Sequence, residues 1–200
     1  MSEQMQLPQA AVIMTHDVAD WDTWKAVFDS HEGARKAAGM LGHHINRHAD
    51  NPNRISVYMA VSDVARAQAF SQSPDLHATM SKAGITSAPT ATWVKPLDEN
   101  INWGRELPAM MISHQVANLD AWFAAYTGAA TLRAQGGIVG EAANQVLDDT
   151  GTVLVYHQAE SQDALHAFIA HPALKDVMQK AGVTSAPQVS FVTGGWSKRY

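Results

Sequence analysis

Short apolar runs and stripes of helical spacing follow one another along this chain, and the whole succession occurs twice. Ala11-Val12-Ile13-Met14-Thr15-His16 is an apolar run rich in strand formers. Trp24, Phe28, His31 and Arg35 then fall 4, 3 and 4 residues apart, one face of a helix. Asp20 stands where its carboxylate can accept the first free amide hydrogens of that helix, and Gly39 suits its left-handed C-cap. Two strands are expected next, Gly42 to Arg47 and Ile55 to Val61, joined by the turn residues Asp50-Asn51-Pro52-Asn53. A second helix is expected from Ser62-Asp63 through Phe70. Ser73-Pro74 restarts it, since proline suits a first helical position. It turns Leu76 and Met80 inward and stops at Gly84. Pro89 opens a last strand, Thr90 to Val94. The order β-α-β-β-α-β is that of the ferredoxin-like unit.

Residues 11–94 align with residues 109–192 at a constant offset of 98 without a gap, and 27 of the 84 pairs are identical. The longest shared stretch is Lys82-Ala83-Gly84-x-Thr86-Ser87-Ala88-Pro89 against Lys180-Ala181-Gly182-x-Thr184-Ser185-Ala186-Pro187. Asn118 repeats the cap at Asp20, Gly137 repeats Gly39, and His171-Pro172 repeats Ser73-Pro74. We divide the chain into a first unit at 8–96, a linker at 97–107, a second unit at 108–194 and a tail at 195–200. A four-stranded sheet with helices on one face leaves its other face uncovered, and the second unit can cover it. The fold class is therefore α+β: two tandem ferredoxin-like units forming an intrachain pseudo-dimeric α+β barrel, its sheets stacked or closed, with helices outside.

Val18-Ala19-Asp20 leading to Trp24, Arg35 with Gly39, and Ser73-Pro74-x-Leu76…Met80-x-x-Ala83-Gly84 resemble the dimeric α+β barrel superfamily around the antibiotic biosynthesis monooxygenases. More closely, they look like small bacterial proteins of a cyclase-like or monooxygenase-like kind. The resemblance covers nearly the whole chain, once per repeat. It implies a fusion of what is usually a pair of chains. The superfamily includes cofactor-independent quinone-forming oxygenases, haem-degrading oxygenases, lactone isomerases and proteins without known activity, so fold does not choose among them. The Asn, Trp and His set of the haem-degrading branch does not map onto this chain position by position.

Composition narrows the partners. Net charge is −5 with no basic block, which disfavours nucleic acid. Charged residues are 16% of the chain and apolar ones 46%, so assembly into further homo-oligomers is also open. There is no cysteine, which excludes disulfides and thiolate chemistry. Met1 to Pro8 lacks the basic and apolar regions of a signal peptide, and no apolar run is long enough to span a bilayer. A soluble cytoplasmic protein is expected, with no membrane partner.

His16 and His114 are the sharpest catalytic candidates, each at the end of a first strand where a general base can act. The structural alternative is a histidine that bonds a loop carbonyl and fixes the turn. Arg35 and Arg133 continue a stripe of aromatic and small residues, and a guanidinium there can clamp a carboxylate, phenolate or enolate. The alternative is a salt bridge at the helix end. Tyr58 and Tyr156, central in the third strand of each unit, and Trp24 and Trp122 complete the expected substrate-binding set, against a plain packing role. His44, Asn46 and His48 alternate on one strand face, a chelating spacing, but no carboxylate pattern accompanies them. We assign no metal ligand and no cofactor.

The reading is a small-molecule pocket protein: a cofactor-independent monooxygenase, or an isomerase or cyclase, acting on an aromatic or polyketide-like substrate. Two alternatives stand beside it, a non-catalytic protein that binds a small ligand or haem, and an inert assembly protein of the same fold. Whether the chain is an enzyme is left open by the sequence.

Overall fold

A computed structural model describes residues 6–200, so most of the stretch read for a signal peptide lies outside it. The first unit runs β1 (Ala10–Asp17), α1 (Trp21–Ser30), α2 (Glu32–Ala37), β2 (Met40–His48), β3 (Arg54–Val61), α3 (Val64–Ser71), α4 (Pro74–Lys82) and β4 (Thr90–Asn100). The second repeats it as β5 (Leu107–Gln115), α5 (Leu119–Gly128), α6 (Ala130–Gln135), β6 (Ile138–Val146), β7 (Thr152–Ala159), α7 (Gln162–Ile169), α8 (Pro172–Lys180) and β8 (Gln188–Arg199). The first long helix of each unit is thus two helices, hinged at His31 and at Ala129.

Local chemistry sets the boundaries. The Asp20 carboxylate accepts the Thr23 amide at 2.8 Å, and Asn118 accepts that of Ala121 at 2.8 Å. Ser73 accepts from Leu76, with Pro74 opening the helix. Gly39 and Gly137 take φ of +84° and +83°, a left-handed turn that a side chain would strain.

All eight strands form one closed antiparallel barrel in the order β1-β3-β2-β8-β5-β7-β6-β4, β4 returning to β1. Within each unit the order is the ferredoxin-like 4-1-3-2. The two half-barrels join edge to edge, β2 with β8 and β4 with β6. Closure leaves no free edge. It also lengthens the last strands. Residues 195–200, expected as a tail, mostly belong to β8, because Gly42 to His48 pair with Arg199 to Val192. Strand β4 continues from Val94 to Asn100 for the same reason, pairing with β6. It carries a bulge between Pro96 and Asp98, where proline has no amide hydrogen to donate.

Strand alternation sorts side chains onto two faces. Outward-facing residues meet the helices in two separate cores. One holds Val12, Trp24, Ile45, Ile55, Val57 and Val61; the other holds Met110, Trp122, Val153, Leu165 and Phe168. Each fully buried Leu, Val or Phe contributes roughly 1.5–3 kcal/mol. Inward-facing residues line the barrel lumen. No helix among the described residues is long and apolar enough to cross a membrane.

Candidate functional site

Each unit has a pocket between its sheet and its helices, and the first is the more open. It measures about 100 Å³ and is lined by β1 through Met14 and His16, by α1 through Trp24 and Phe28, by Arg35, and by Leu76 and Met80 of α4. Its counterpart, about 60 Å³, is lined by His114, Trp122, Tyr126, Arg133 and Met178 among others. The repeated pattern therefore does bring His16, Trp24 and Arg35 together, and likewise His114, Trp122 and Arg133.

His16 and His114 are buried against Trp24 and Trp122, with ring centroids 5.7 and 5.8 Å apart. Neither nitrogen of either ring has a hydrogen-bond partner. The turn-fixing role fails for both, since no loop carbonyl is bonded. Burial pushes both rings down to about 4, so each is a neutral imidazole at pH 7; the Asp17 carboxylate offsets a part of this at His16. A buried orphan polar atom costs about 1–3 kcal/mol, which the fold has tolerated in both copies.

Trp24 and Phe28 stack at 5.0 Å, and the Arg35 guanidinium lies 3.7 Å over the Phe28 ring. His16 and Arg35 thus stand at the two ends of one aromatic wall. The second unit builds the same wall, with Trp122 on Tyr126 at 5.3 Å and the Arg133 guanidinium 4.0 Å over Tyr126.

The two arginines differ in their partners. Both are buried, 3% and 4% exposed. Both donate Nη1 to a carbonyl in the preceding helix, Phe28 or Tyr126. Arg133 gives Nε and Nη2 to the two carboxylate oxygens of Glu141, a bidentate ion pair. This is the kind of salt bridge that the sequence left open as the alternative, and it neutralises the Arg133 charge. Position 43 corresponds to 141 by the offset of 98, and the first unit has His43 there. Arg35 instead donates Nε to the Tyr200 hydroxyl at 2.6 Å, which in turn contacts His43 Nδ1 at 2.8 Å. The Tyr200 oxygen accepts from Arg35, and its hydrogen bond with His43 runs in the direction that the imidazole tautomer sets. His43 is held down to about 4 by burial and then by the Arg35 charge, so it stays neutral at pH 7 beside the guanidinium; an imidazole has no negative charge to offer it. Arg35 Nη2 is buried without a partner. One pocket holds an uncompensated cation; the other is electrically closed.

Tyr58 and Tyr156 do not belong to these pockets. Both point into the lumen, on the other side of the sheet, because position parity along β3 and β7 places them opposite to Val57 and Val155. His44 and Asn46 are there too. His48 donates to or accepts from Ser56 at 2.9 Å, and among the described residues no three His, Asp or Glu side chains are grouped to hold a metal. The exchange of His43 for Glu141 is visible in the repeat alignment, but only the structure ties it to the two arginines; Tyr200 lay in the expected tail and was not singled out.

No protein-family model and no curated protein matches this sequence. Solved structures do. An anthrone oxidase-like protein superposes with a TM-score of 0.70 at 13% identity, over 95% of this chain and 92% of its own. A ferredoxin-fold protein of Listeria monocytogenes related to antibiotic biosynthesis monooxygenases gives 0.56 at 7% identity, over 96% and 98%. The fold is that of these monooxygenase-like proteins. A heme-degrading enzyme of Listeria monocytogenes also shares it, with a TM-score of 0.53 at 7% identity over 90% and 97%. In the monooxygenase-like fold seen here, both halves of the barrel come from a single chain as tandem repeats.

The residues present do not fit haem. A cavity of about 100 Å³ is well below the roughly 300–1,000 Å³ of pockets that take drug-sized ligands.

Proposed function

We propose that the first unit's pocket binds a small, single-ring or enolic anion and carries out cofactor-independent proton-transfer chemistry on it, of the oxygenase or isomerase kind. The observation that carries this is Arg35: a buried guanidinium with a free Nη2 and no carboxylate, where its repeat-mate has Glu141. A buried cation without a counter-charge is costly, and a carboxylate, phenolate or enolate oxygen would supply one. The aromatic wall of Trp24 and Phe28 offers a flat apolar surface for the rest of the molecule. Cavity size favours one ring over a fused polyketide. His16 is the proposed base. An anion bound beside it would raise its pKa from about 4 toward neutrality, so base strength would appear on binding. The proton leaves the ligand for the imidazole, and Arg35 stabilises the oxyanion left behind.

The pocket is tested first by benzoate titration. Saturable binding to the parent is expected, lost in Arg35→Met. It is also lost in His43→Glu, which gives Arg35 the partner that Arg133 has. Retention of affinity in both variants would refute the clamp. Chemistry is tested by oxygen uptake with 2,5-dihydroxybenzoate, where His16→Leu should abolish protein-dependent uptake and His114→Leu should leave it. The low basicity of the empty His16 favours one second reading, a carrier that binds the same anion without turnover; benzoate binding with no uptake would support it.

A further inference from the structure

The lumen between the two half-barrels encloses a chamber of about 250 Å³. Its polar lining is a repeat pattern with one member missing. Tyr58 and Tyr156 correspond by the offset of 98, as do Asn46 and Asn144; His44 corresponds to Ala142. In one half the set is complete. The Tyr156 hydroxyl donates to Asn46 Oδ1 at 2.8 Å. Its single proton is then used, so the contact with His44 Nε2 at 3.0 Å is a donation from the imidazole. The two rings meet edge to face at 5.6 Å.

In the other half the imidazole is absent. Ala142 has only a methyl group, the Tyr58 hydroxyl makes no hydrogen bond among the described residues, and Asn144 Oδ1 is buried without a partner. Glu99 pairs directly across the strands from Ala142. Burial raises its carboxyl above the usual range, with Arg199 and Trp103 offsetting a part. No lysine or arginine lines the chamber. An anion is therefore disfavoured; Asn144 Oδ1 wants a donor, and Glu99, which already accepts from Trp103, has lone pairs for a further one. Ile13, Ile101, Met111 and Leu154 supply apolar walls.

We propose that the lumen is a second binding site, for a small aromatic nitrogen heterocycle whose N–H occupies the place that His44 fills in the opposite half. The ring lies beside Ala142, hydrogen-bonded among Tyr58, Asn144 and Glu99. An apolar cavity of roughly 150 Å³ is enough to hold benzene, so the chamber has room for a fused two-ring system. The site is separate from the Arg35 pocket by position and opposite to it in charge preference.

Benzimidazole is the probe, titrated into the full chain at pH 7.5 by calorimetry and by chemical-shift perturbation. One-to-one saturable binding is expected, with shifts centred on β4, β6 and β3, and saturating benzoate should not displace it. Ala142→His places the absent ring in the chain itself and should weaken binding at least about tenfold, with Tyr58→Phe and Glu99→Gln each weakening it about fivefold. Tyr58→Phe removes no bond that the empty protein makes, so it keeps the test alive if the histidine variant does not fold. No saturable binding up to the solubility limit, affinity unchanged in Tyr58→Phe and Glu99→Gln, or displacement by benzoate would overturn the proposal.

Discussion

Replacing His16 and His114 together by leucine should make the protein more resistant to acid, by an amount that follows from their burial. Both rings are held at about 4 in the folded chain, against an ordinary histidine value of 6.5. For a base whose folded pKa is depressed, the unfolded chain takes up the proton first. Stability is then complete above pH 6.5 and is lost as pH falls from 6.5 towards 4. Between pH 7.5 and pH 5 each such histidine costs about 2 kcal/mol, so the pair costs about 4 kcal/mol, a large share of a typical 5–15 kcal/mol. At pH 7.5 the double variant should be at least as stable as the parent, because leucine removes buried nitrogens that have no partner. The assay is urea denaturation at both pH values, followed by tryptophan fluorescence. The expected result is a gap between the two proteins that widens by about 4 kcal/mol on acidification. Parallel pH profiles would refute the reasoning, since they would mean that His16 and His114 are charged or solvated in the folded state.

Three other perturbations probe the pieces separately. Glu141→Gln leaves the Arg133 guanidinium buried without its counter-charge and should cost about 3 kcal/mol in urea denaturation, unlike substitution of the exposed Glu160. Tyr200→Phe removes the acceptor of Arg35 Nε and should cost about 2 kcal/mol, read as a lower Tm, without reducing benzoate affinity. Gly195→Ala should cost about 2–3 kcal/mol by calorimetry, because φ there is +127° and a Cβ would come 2.1 Å from the Arg105 carbonyl oxygen.

Much of one unit could be read from its residues because the signals are local. Asp20, Asn118 and Ser73 cap helices in the structure as their side chains imply, and the turn between β2 and β3 falls at residues 49–53. The co-location of His16, Trp24 and Arg35 was also legible, since helical spacing and the strand end face each other across one core. Tyr58 and Tyr156 face the lumen and not the helix-side pockets, which their sequence positions did not settle. Alternation says that Tyr58 and Val57 face opposite sides of a strand, but both sides of this sheet are covered, so parity alone does not say which side holds the pocket.

The sequence by itself determined the repeat, the ferredoxin-like order of each unit and the pairs of positions that correspond between them. Those follow from short-range preferences and from comparing the chain with itself. Only the tertiary structure decided that the halves close edge to edge, that residues 195–199 are barrel strand, and that Arg133 is neutralised while Arg35 is not. It also decided that Tyr156 bonds Asn46 and His44 of the opposite unit. Most of these depend on partners far along the chain, and the Arg133–Glu141 pair depends on how a helix packs on the neighbouring strand. Such contacts are set by how the two half-barrels meet, and no local pattern records that geometry.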